Sequence, residues 1–167
     1  MSATAGVTTG KVPIFREASR GRSTRIDAAV DLRPTTSLRA SLQFSRLTLD
    51  RAFNDSRFST ETIPRLKVEY QMTRAIFFRL VGQYAARSRS SLIDRNGNAI
   101  LVDGVLDAGT KSNEFTTDWL FSYRPIPGTL AYFGYGSTMT EPKEFRFSNL
   151  ERTRDGFFGK LSYLFRF

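Results

Sequence analysis

Apolar and polar side chains alternate with a period of two residues through most of this chain, and that period limits the fold more than any other feature. The alternation begins near Thr24 and is cleanest in residues 65–72, where Leu66, Val68, Tyr70 and Met72 alternate with Arg65, Lys67, Glu69 and Gln71. Neighbouring side chains of a β-strand point to opposite faces, whereas a helix repeats every 3.6 residues. No run keeps the helical period, so the sequence predicts an all-β fold.

Seven runs of this kind can be recognised, at residues 25–33, 38–49, 65–72, 76–87, 115–124, 129–137 and 157–167. In the second run the apolar phase slips near Ser45 and Arg46, which predicts a β-bulge there. The sixth run is rich in aromatic residues and glycine, and its two faces are not assigned. We take the seven runs as candidate strands.

The connections between the runs alternate in length. Short turns occupy residues 34–37, 73–75 and 125–128, and long polar connections occupy residues 51–62, 88–113 and 138–154. Turns at one end and loops at the other are typical of membrane-spanning barrels, which have short periplasmic turns and long extracellular loops. The sequence therefore predicts an antiparallel up-and-down β-barrel of seven or eight strands.

The distribution of charge predicts which face meets lipid. Charged residues are confined to the polar side of each run, and the candidate lumen-facing residues are Arg65, Lys67, Glu69, Arg79, Asp118 and Arg124. A charge on the lipid face would cost roughly 2–4 kcal/mol at the bilayer midplane. We therefore expect a transmembrane barrel with the apolar side outward. Two alternatives remain: a soluble ligand-binding β-barrel with its apolar side inward, and a basic nucleic-acid-binding β-domain.

Composition removes several classes of chemistry. The chain has no cysteine and no histidine, which excludes disulfides, thiolate chemistry, imidazole metal ligands and histidine-based triads. The net charge of +9 comes from basic residues dispersed along the runs, without the basic arm typical of nucleic-acid binding. We assign no catalytic residue, no metal and no cofactor, and we do not expect an enzyme or a nucleic-acid partner.

The last nine residues, Gly159–Phe167, form an alternating aromatic strand that ends the chain on phenylalanine. This segment resembles the C-terminal β-signal of Gram-negative outer-membrane β-barrels. The resemblance implies an outer-membrane location and recognition by the barrel-assembly machinery. Its residues would be Leu161, Tyr163, Phe165 and Phe167. The turn at residues 123–129 is more loosely similar to one near the end of TonB-dependent receptors, or of large barrels fused to a carbohydrate-binding-like domain.

The N-terminal segment fits this picture less well. Residues 1–22 are expected to be irregular or to form a poor extra strand, since Gly10 and Pro13 interrupt residues 7–15, and residues 23–167 are expected to form the barrel. The resemblance places the C-terminus in the periplasm, so seven strands would start the chain outside. The start, Met1–Thr9, is not a signal peptide. We therefore expect the C-terminal part of a larger barrel, made from a longer precursor.

The long connections carry two weaker signals. Residues 94–98 resemble the start of a calcium loop, but Ala99 and Val105 stand where that loop needs glycine and glutamate, which favours a polar turn. Basic residues near the outer rim are candidates for lipopolysaccharide phosphates: Arg57, Arg87, Arg89, Arg95 and Lys111. The expected role is structural or porin-like transport. The expected partners are outer-membrane lipid and lipopolysaccharide, and either the rest of the barrel or another envelope subunit.

Overall fold

The computed structural model describes residues 1–164. They form β-strands and one single-turn 3₁₀-helix, Phe15–Glu17. The strands are β1 Ser2–Ile14, β2 Ser19–Leu32, β3 Leu38–Arg51, β4 Arg57–Gln71, β5 Ile76–Arg89, β6 Leu101–Val102, β7 Val105–Leu106, β8 Thr110–Tyr123, β9 Thr129–Thr140 and β10 Glu151–Tyr163. Nothing in this part of the chain is a helix of the length and apolarity that crossing a bilayer requires.

Eight of the strands form one antiparallel sheet in the order β1-β2-β3-β4-β5-β8-β9-β10. Each strand pairs with the strands next to it along this order, and the short strands β6 and β7 form a separate hairpin inside the β5–β8 loop. The prediction of an all-β antiparallel fold is confirmed. The sheet is open: within residues 1–164, β1 and β10 are its two edges and no ladder joins them.

The N-terminal segment is a full strand. All of β1 pairs with β2, from Ser2 opposite Asp31 to Ile14 opposite Ser19. Proline is tolerated in β1 because an edge strand has one row of backbone groups that needs no partner in the sheet. The sheet thus has eight long strands, which is one of the two counts that the sequence left open.

Two expectations about the second connection are wrong. Residues 51–62 do not form a long loop, because β4 begins at Arg57 and only residues 52–56 connect it to β3. Threonine and isoleucine favour the strand there. The β-bulge is also not near Ser45 and Arg46, which keep regular register with both neighbouring strands. The register shifts instead between Leu49 and Asp50, which leaves one extra residue in β4.

The slip of phase that suggested the bulge has a different cause. Leu47 and Leu49 keep the register of β3 and therefore lie on the opposite face from Leu42. Leu49 packs there against a small core of Ile14, Phe58 and Leu92. Apolar residues therefore change face at the end of β3 near Arg51, because the loop between β5 and β8 covers that end.

The register divides the sheet into two faces that continue across all eight strands. The face that carries Leu66 and Val68 of β4 is called the apolar face. The face that carries Arg65, Lys67 and Glu69 is called the charged face. Paired residues of adjacent strands lie on the same face. For example, Leu66 lies opposite Leu42 and Gly82, and Lys67 lies opposite Ser41 and Val81. In β9, Phe133 and Tyr135 lie on the apolar face, opposite Phe121 and Trp119.

Candidate membrane-facing surface and lumen

The apolar face carries an uncharged strip that crosses every strand of the sheet. Starting at the short turns, the positions of this face hold no charge over residues 3–9, 24–32, 38–44, 60–70, 76–88, 113–123, 131–139 and 157–163. These ranges are about nine residues long on average, and nine residues rise about 30 Å along a strand. At a tilt of about 40° that is roughly 23 Å along the membrane normal, close to the apolar band of an outer-membrane barrel.

Large side chains of this strip are open to the surroundings. Leu42 is 51%, Leu66 44% and Phe133 45% exposed, although all lie in the middle of long paired strands. A monomeric soluble protein rarely leaves an apolar patch of this extent uncovered. The strip therefore requires an apolar environment or a partner.

Aromatic rings join the four strands at the C-terminal side of the strip. The Trp119 ring centroid lies 6.3 Å from that of Phe78, 5.4 Å from that of Phe133 and 6.4 Å from that of Tyr135. Phe157 of β10 continues the cluster, with its centroid 4.6 Å from that of Tyr135. Such pairs contribute about 0.5–1.5 kcal/mol each beyond the area they bury. They connect β5, β8, β9 and β10 across the apolar face.

The charged face holds ion pairs and hydrogen bonds. Glu69 lies opposite Arg39 of β3 and Arg79 of β5 in the register, and its carboxylate is 3.4 Å from the Lys67 ammonium. Arg65, Lys67, Glu69, Arg79 and Asp118, all predicted to face the lumen, share this face. Arg124 follows β8 in the turn, where its backbone N–H donates to the Ala75 carbonyl at 2.7 Å.

The sheet curls toward the charged face. Thr4 of β1 and Gln83 of β5, four strands apart in the sheet, line one trough of about 590 Å³ together with Gln43 and Arg65. In a flat sheet four strand spacings would separate them by about 19 Å. The charged face is therefore concave and the apolar face convex.

The β5–β8 loop, residues 90–109, folds across the outer end of the charged face. Leu92 comes three residues after the end of β5 and is 2% exposed, because it packs with Ile14 of β1 and Phe58 of β4. The loop is tied down near its other end as well, because Arg89 donates to Asp107 at 2.7 and 2.9 Å. These hydrogen bonds hold the pKa of the Asp107 carboxyl below its usual range. The loop covers the mouth of the concave side.

A buried ion pair holds this loop. The side chains of Glu17 and Arg51 are 0% and 3% exposed, and Arg51 donates from Nη2 and Nε to the carboxylate at 2.5 and 2.8 Å. The guanidinium also donates to the Ser91 carbonyl at 2.7 Å and lies 5.2 Å from the centroid of the Phe58 ring. Glu17 accepts in turn from the Ile93 N–H at 3.1 Å. One pair therefore connects the β1–β2 turn, the end of β3 and the β5–β8 loop.

The β9–β10 loop folds the other way, onto the apolar face. The hydroxyl of buried Tyr84 donates to the carboxylate of Glu141, and it accepts from the Phe145 N–H at 2.9 Å. The other carboxylate oxygen of Glu141 accepts from the Phe147 N–H at 2.8 Å. The Phe145 ring stacks on Tyr84 with a centroid separation of 4.4 Å. Phe145 and Phe147 remain 40% and 51% exposed, at the outer margin of the strip.

Most of the basic residues predicted to bind phosphates form ion pairs within the protein. Arg57 pairs with Asp50 at 2.6 Å, Arg87 with Glu61 at 2.6 Å and Arg89 with Asp107. Arg95 is exposed in the β5–β8 loop, and Lys111 is exposed on the apolar face, opposite Ser88. Three of the five cations are thus engaged within the protein.

The remaining sequence signals can be placed directly. The Asn98 side-chain amide donates to the Asp94 carboxylate at 3.1 Å, and the backbone N–H groups of Asn98 and Asn96 donate to it as well. These hydrogen bonds lower the pKa of the Asp94 carboxyl and make residues 94–98 a closed polar turn. Leu161 and Tyr163 lie on the apolar face of β10, whereas Phe165 and Phe167 are outside the described residues.

Sequence reasoning missed the two buried networks. Glu17 lies in a segment treated as irregular, and Arg51 and Glu141 stand where loops were expected. Their only sequence signal is charge at strand ends, which is normal for solvated residues. Comparison with protein-family models, with curated proteins and with solved structures finds no match to this chain.

Proposed function

We propose that this chain is a β-barrel membrane protein of the outer membrane of a Gram-negative-type envelope, with a structural or transport role. Its apolar face contacts lipid and its charged face lines the lumen. The observation that carries the proposal is the uncharged strip, which crosses all eight strands and leaves leucine and phenylalanine about half exposed. In hydrocarbon, backbone groups must all be paired, which restricts spanning strands to closed barrels.

The curvature favours this proposal over a soluble ligand-binding barrel. A soluble barrel turns its apolar side inward around a core. Here the trough and the β5–β8 loop lie on the charged side, and the concave surface contains Arg25 paired with Asp27 at 2.9 Å. An apolar convex side fits lipid, and a polar concave side fits a lumen.

The resemblance of residues 159–167 to the C-terminal β-signal supports the same location and a role for the barrel-assembly machinery. The margin of the strip supports contact with anionic headgroups. Lys11, Arg46 and Lys111 are the first charges above the strip on β1, β3 and β8, and all three are exposed. Ammonium and guanidinium groups at that depth suit the phosphates of lipid or lipopolysaccharide.

Two adjacent alanines in the middle of β2 provide a matched test. Ala28 lies on the apolar face, opposite Phe44, and Ala29 lies on the charged face, opposite Gln43, where it lines the trough. We expect Ala28→Arg to lower the free energy of unfolding in lipid vesicles by about 2–4 kcal/mol. Ala29→Arg should change it much less, because its charge reaches a polar lumen.

The measurement is urea unfolding of protein refolded into vesicles, followed by tryptophan fluorescence of Trp119. Wild type and both variants are compared under one lipid composition. An equal loss for the two variants, or a greater loss for Ala29→Arg, would contradict the proposed facing and favour a soluble barrel. Failure of the wild type to associate with vesicles would contradict the membrane assignment itself.

A further inference from the structure

The two edge strands of the sheet match each other. β1 runs from the short-turn end to the long-loop end and β10 runs back, so the two would pair antiparallel. They span Ser2–Ile14 and Glu151–Tyr163, and each is thirteen residues long. Leu161 and Val7 remain 78% and 67% exposed on these edges. Long strand edges with apolar side chains favour the addition of another strand.

The register of the sheet determines how the edges would meet. A single line of paired residues runs across all eight strands, through Gly156, Gly136, Asp118, Val81, Lys67, Ser41, Asp31 and Ser2. Along this line, Ser41 is three residues from the start of β3 at Leu38, whereas Gly136 is seven residues from the start of β9 at Thr129. The sheet thus climbs four residues over the four pairings from β3 to β9, or one residue per strand.

This stagger is that of a closed eight-stranded barrel. Eight strands with a shear of eight residues tilt by about 36° from the barrel axis, within the range found for barrels of this kind. Adding the eighth pairing at the same stagger places Gly156 of β10 opposite Gly10 of β1. The other pairs between β10 and β1, here called the seam, follow from this one, with Gly159 opposite Val7 and Phe158 opposite Thr8.

The side chains at this seam are complementary. Asp155 falls opposite Lys11, and these are the first charges on the apolar faces of β10 and β1. Closure at this register therefore makes the uncharged strip continuous around the barrel. On the charged face, the small residues of β1 meet the large residues of β10, with Gly6 opposite Lys160.

We propose that β10 pairs with β1 of the same chain, at the register that sets Val7 opposite Gly159, and that the eight strands close into a barrel without an open pore. This inference rests on the proposed function and restricts it to a structural role. An eight-stranded barrel is just wide enough for its interior side chains to fill. The sequence-based expectation of a larger barrel would instead place other strands against both edges.

The absence of native cysteine from the sequence allows a direct test with introduced pairs. Directly opposite residues of antiparallel strands have Cα atoms about 4.5–5.5 Å apart, within reach of a disulfide, whereas positions displaced by two residues are about 7–8 Å apart. The test pair is Val7→Cys with Gly159→Cys. A Cβ at Gly159 meets only the Tyr132 carbonyl oxygen, at 3.8 Å.

Two control pairs share Val7→Cys. Ile26→Cys completes a pair that the β1–β2 ladder already joins, and Leu161→Cys completes a pair displaced by two residues from the proposed seam. The full chain is refolded at low concentration in detergent and oxidised, and the products are separated on non-reducing gels and identified by mass spectrometry. We expect the seam pair to oxidise within one chain about as fast as the ladder pair, and at least tenfold faster than the displaced pair.

Three results would overturn the proposal. Disulfide-linked dimers of the seam pair would mean that a second copy occupies the edge. Faster oxidation of the displaced pair would mean another register. No linkage at the seam, with normal linkage of the ladder pair, would mean that other strands occupy the edges or that the sheet stays open. None of these results depends on which face meets lipid, so failure here is distinguishable from failure of the alanine test.

Discussion

Removing the Arg51 guanidinium should release the β5–β8 loop from the mouth of the concave side. In Arg51→Met, the Glu17 carboxylate stays buried and keeps only the Ile93 N–H among the donors described above. Breaking a buried ion pair by removing one partner costs about 3–5 kcal/mol. Every 1.4 kcal/mol is a tenfold change in an equilibrium constant. The open form of the loop should therefore become more populated by a factor of roughly 10² to 4 × 10³.

Limited trypsin digestion of the refolded protein measures this opening. Arg95 is exposed in the loop, and cleavage after it, identified by mass spectrometry, reports access to the loop backbone. When opening and closing are fast relative to cleavage, the rate follows the population of the open form. Arg57→Met is the matched control, because its ion pair with Asp50 is half exposed and is worth at most about 1 kcal/mol.

A double variant separates charge from packing. Glu17→Leu combined with Arg51→Met replaces both partners with apolar groups, a change that is often neutral or stabilising for a buried pair. We expect it to recover most of the protection lost in Arg51→Met. Equal cleavage in wild type, Arg51→Met and Arg57→Met would refute the idea that the pair holds the loop. If the double variant is still cleaved as fast as Arg51→Met, the hydrogen bond from Arg51 to Ser91 matters more than the charge.

Two further predictions concern the same end of the sheet. A Cβ at Gly21 would lie 2.7 Å from Leu49 Cδ1, so Gly21→Val should lower the free energy of unfolding in urea by about 1–3 kcal/mol. Gly6→Ala is the control, because a Cβ there would have nothing within 4 Å. Equal losses in the two variants would contradict this packing. The pKa of Asp107 is depressed from 3.8 by its hydrogen bond from Arg89, so its stabilisation of the loop is complete above that value and is lost as pH falls through the folded pKa. Hydrogen exchange of the loop, corrected for intrinsic rates, should accelerate below about pH 4. Asp107→Asn should weaken that dependence, most at Gly109, whose N–H donates to the Asp107 carboxylate, and an unchanged pH response of this variant would refute the assignment.

The strands that the sequence located are those whose two sides differ strongly in polarity. Residues 65–71 show this best, because Leu66, Val68 and Tyr70 lie on the apolar face and the residues between them lie on the charged face. Polarity fails as a signal where both sides of a strand are small or polar. This is the case for β1, whose apolar-face residues Ala3, Ala5 and Thr9 differ little from Ser2 and Thr4 on the charged face. Its evidence as a strand is the pairing with β2.

The packing of the loops and the buried networks could not be predicted from the sequence for a related reason. A sequence window cannot show that Leu92 reaches Ile14, because the contact joins residues far apart in the chain through the curl of the sheet. The curl also explains why a glutamate and an arginine become fully buried. Once the loop covers the outer end, charged groups at that end lose water and need one another, and Glu17 and Arg51 satisfy that need together.

The composition of the chain is consistent with the division of the sheet into an apolar face and a charged face. A mean hydropathy of −0.31 and a charged fraction of 25% are ordinary for a protein in water. Here, one side of each strand is uncharged over most of its length, and the other side carries most of the charges, some of them paired, as Lys67 and Glu69 are at 3.4 Å. Averaging the two halves hides the apolar one, because the period of two cancels it in any window. The apolar face of the sheet is therefore determined by the order of the residues and not by their proportions.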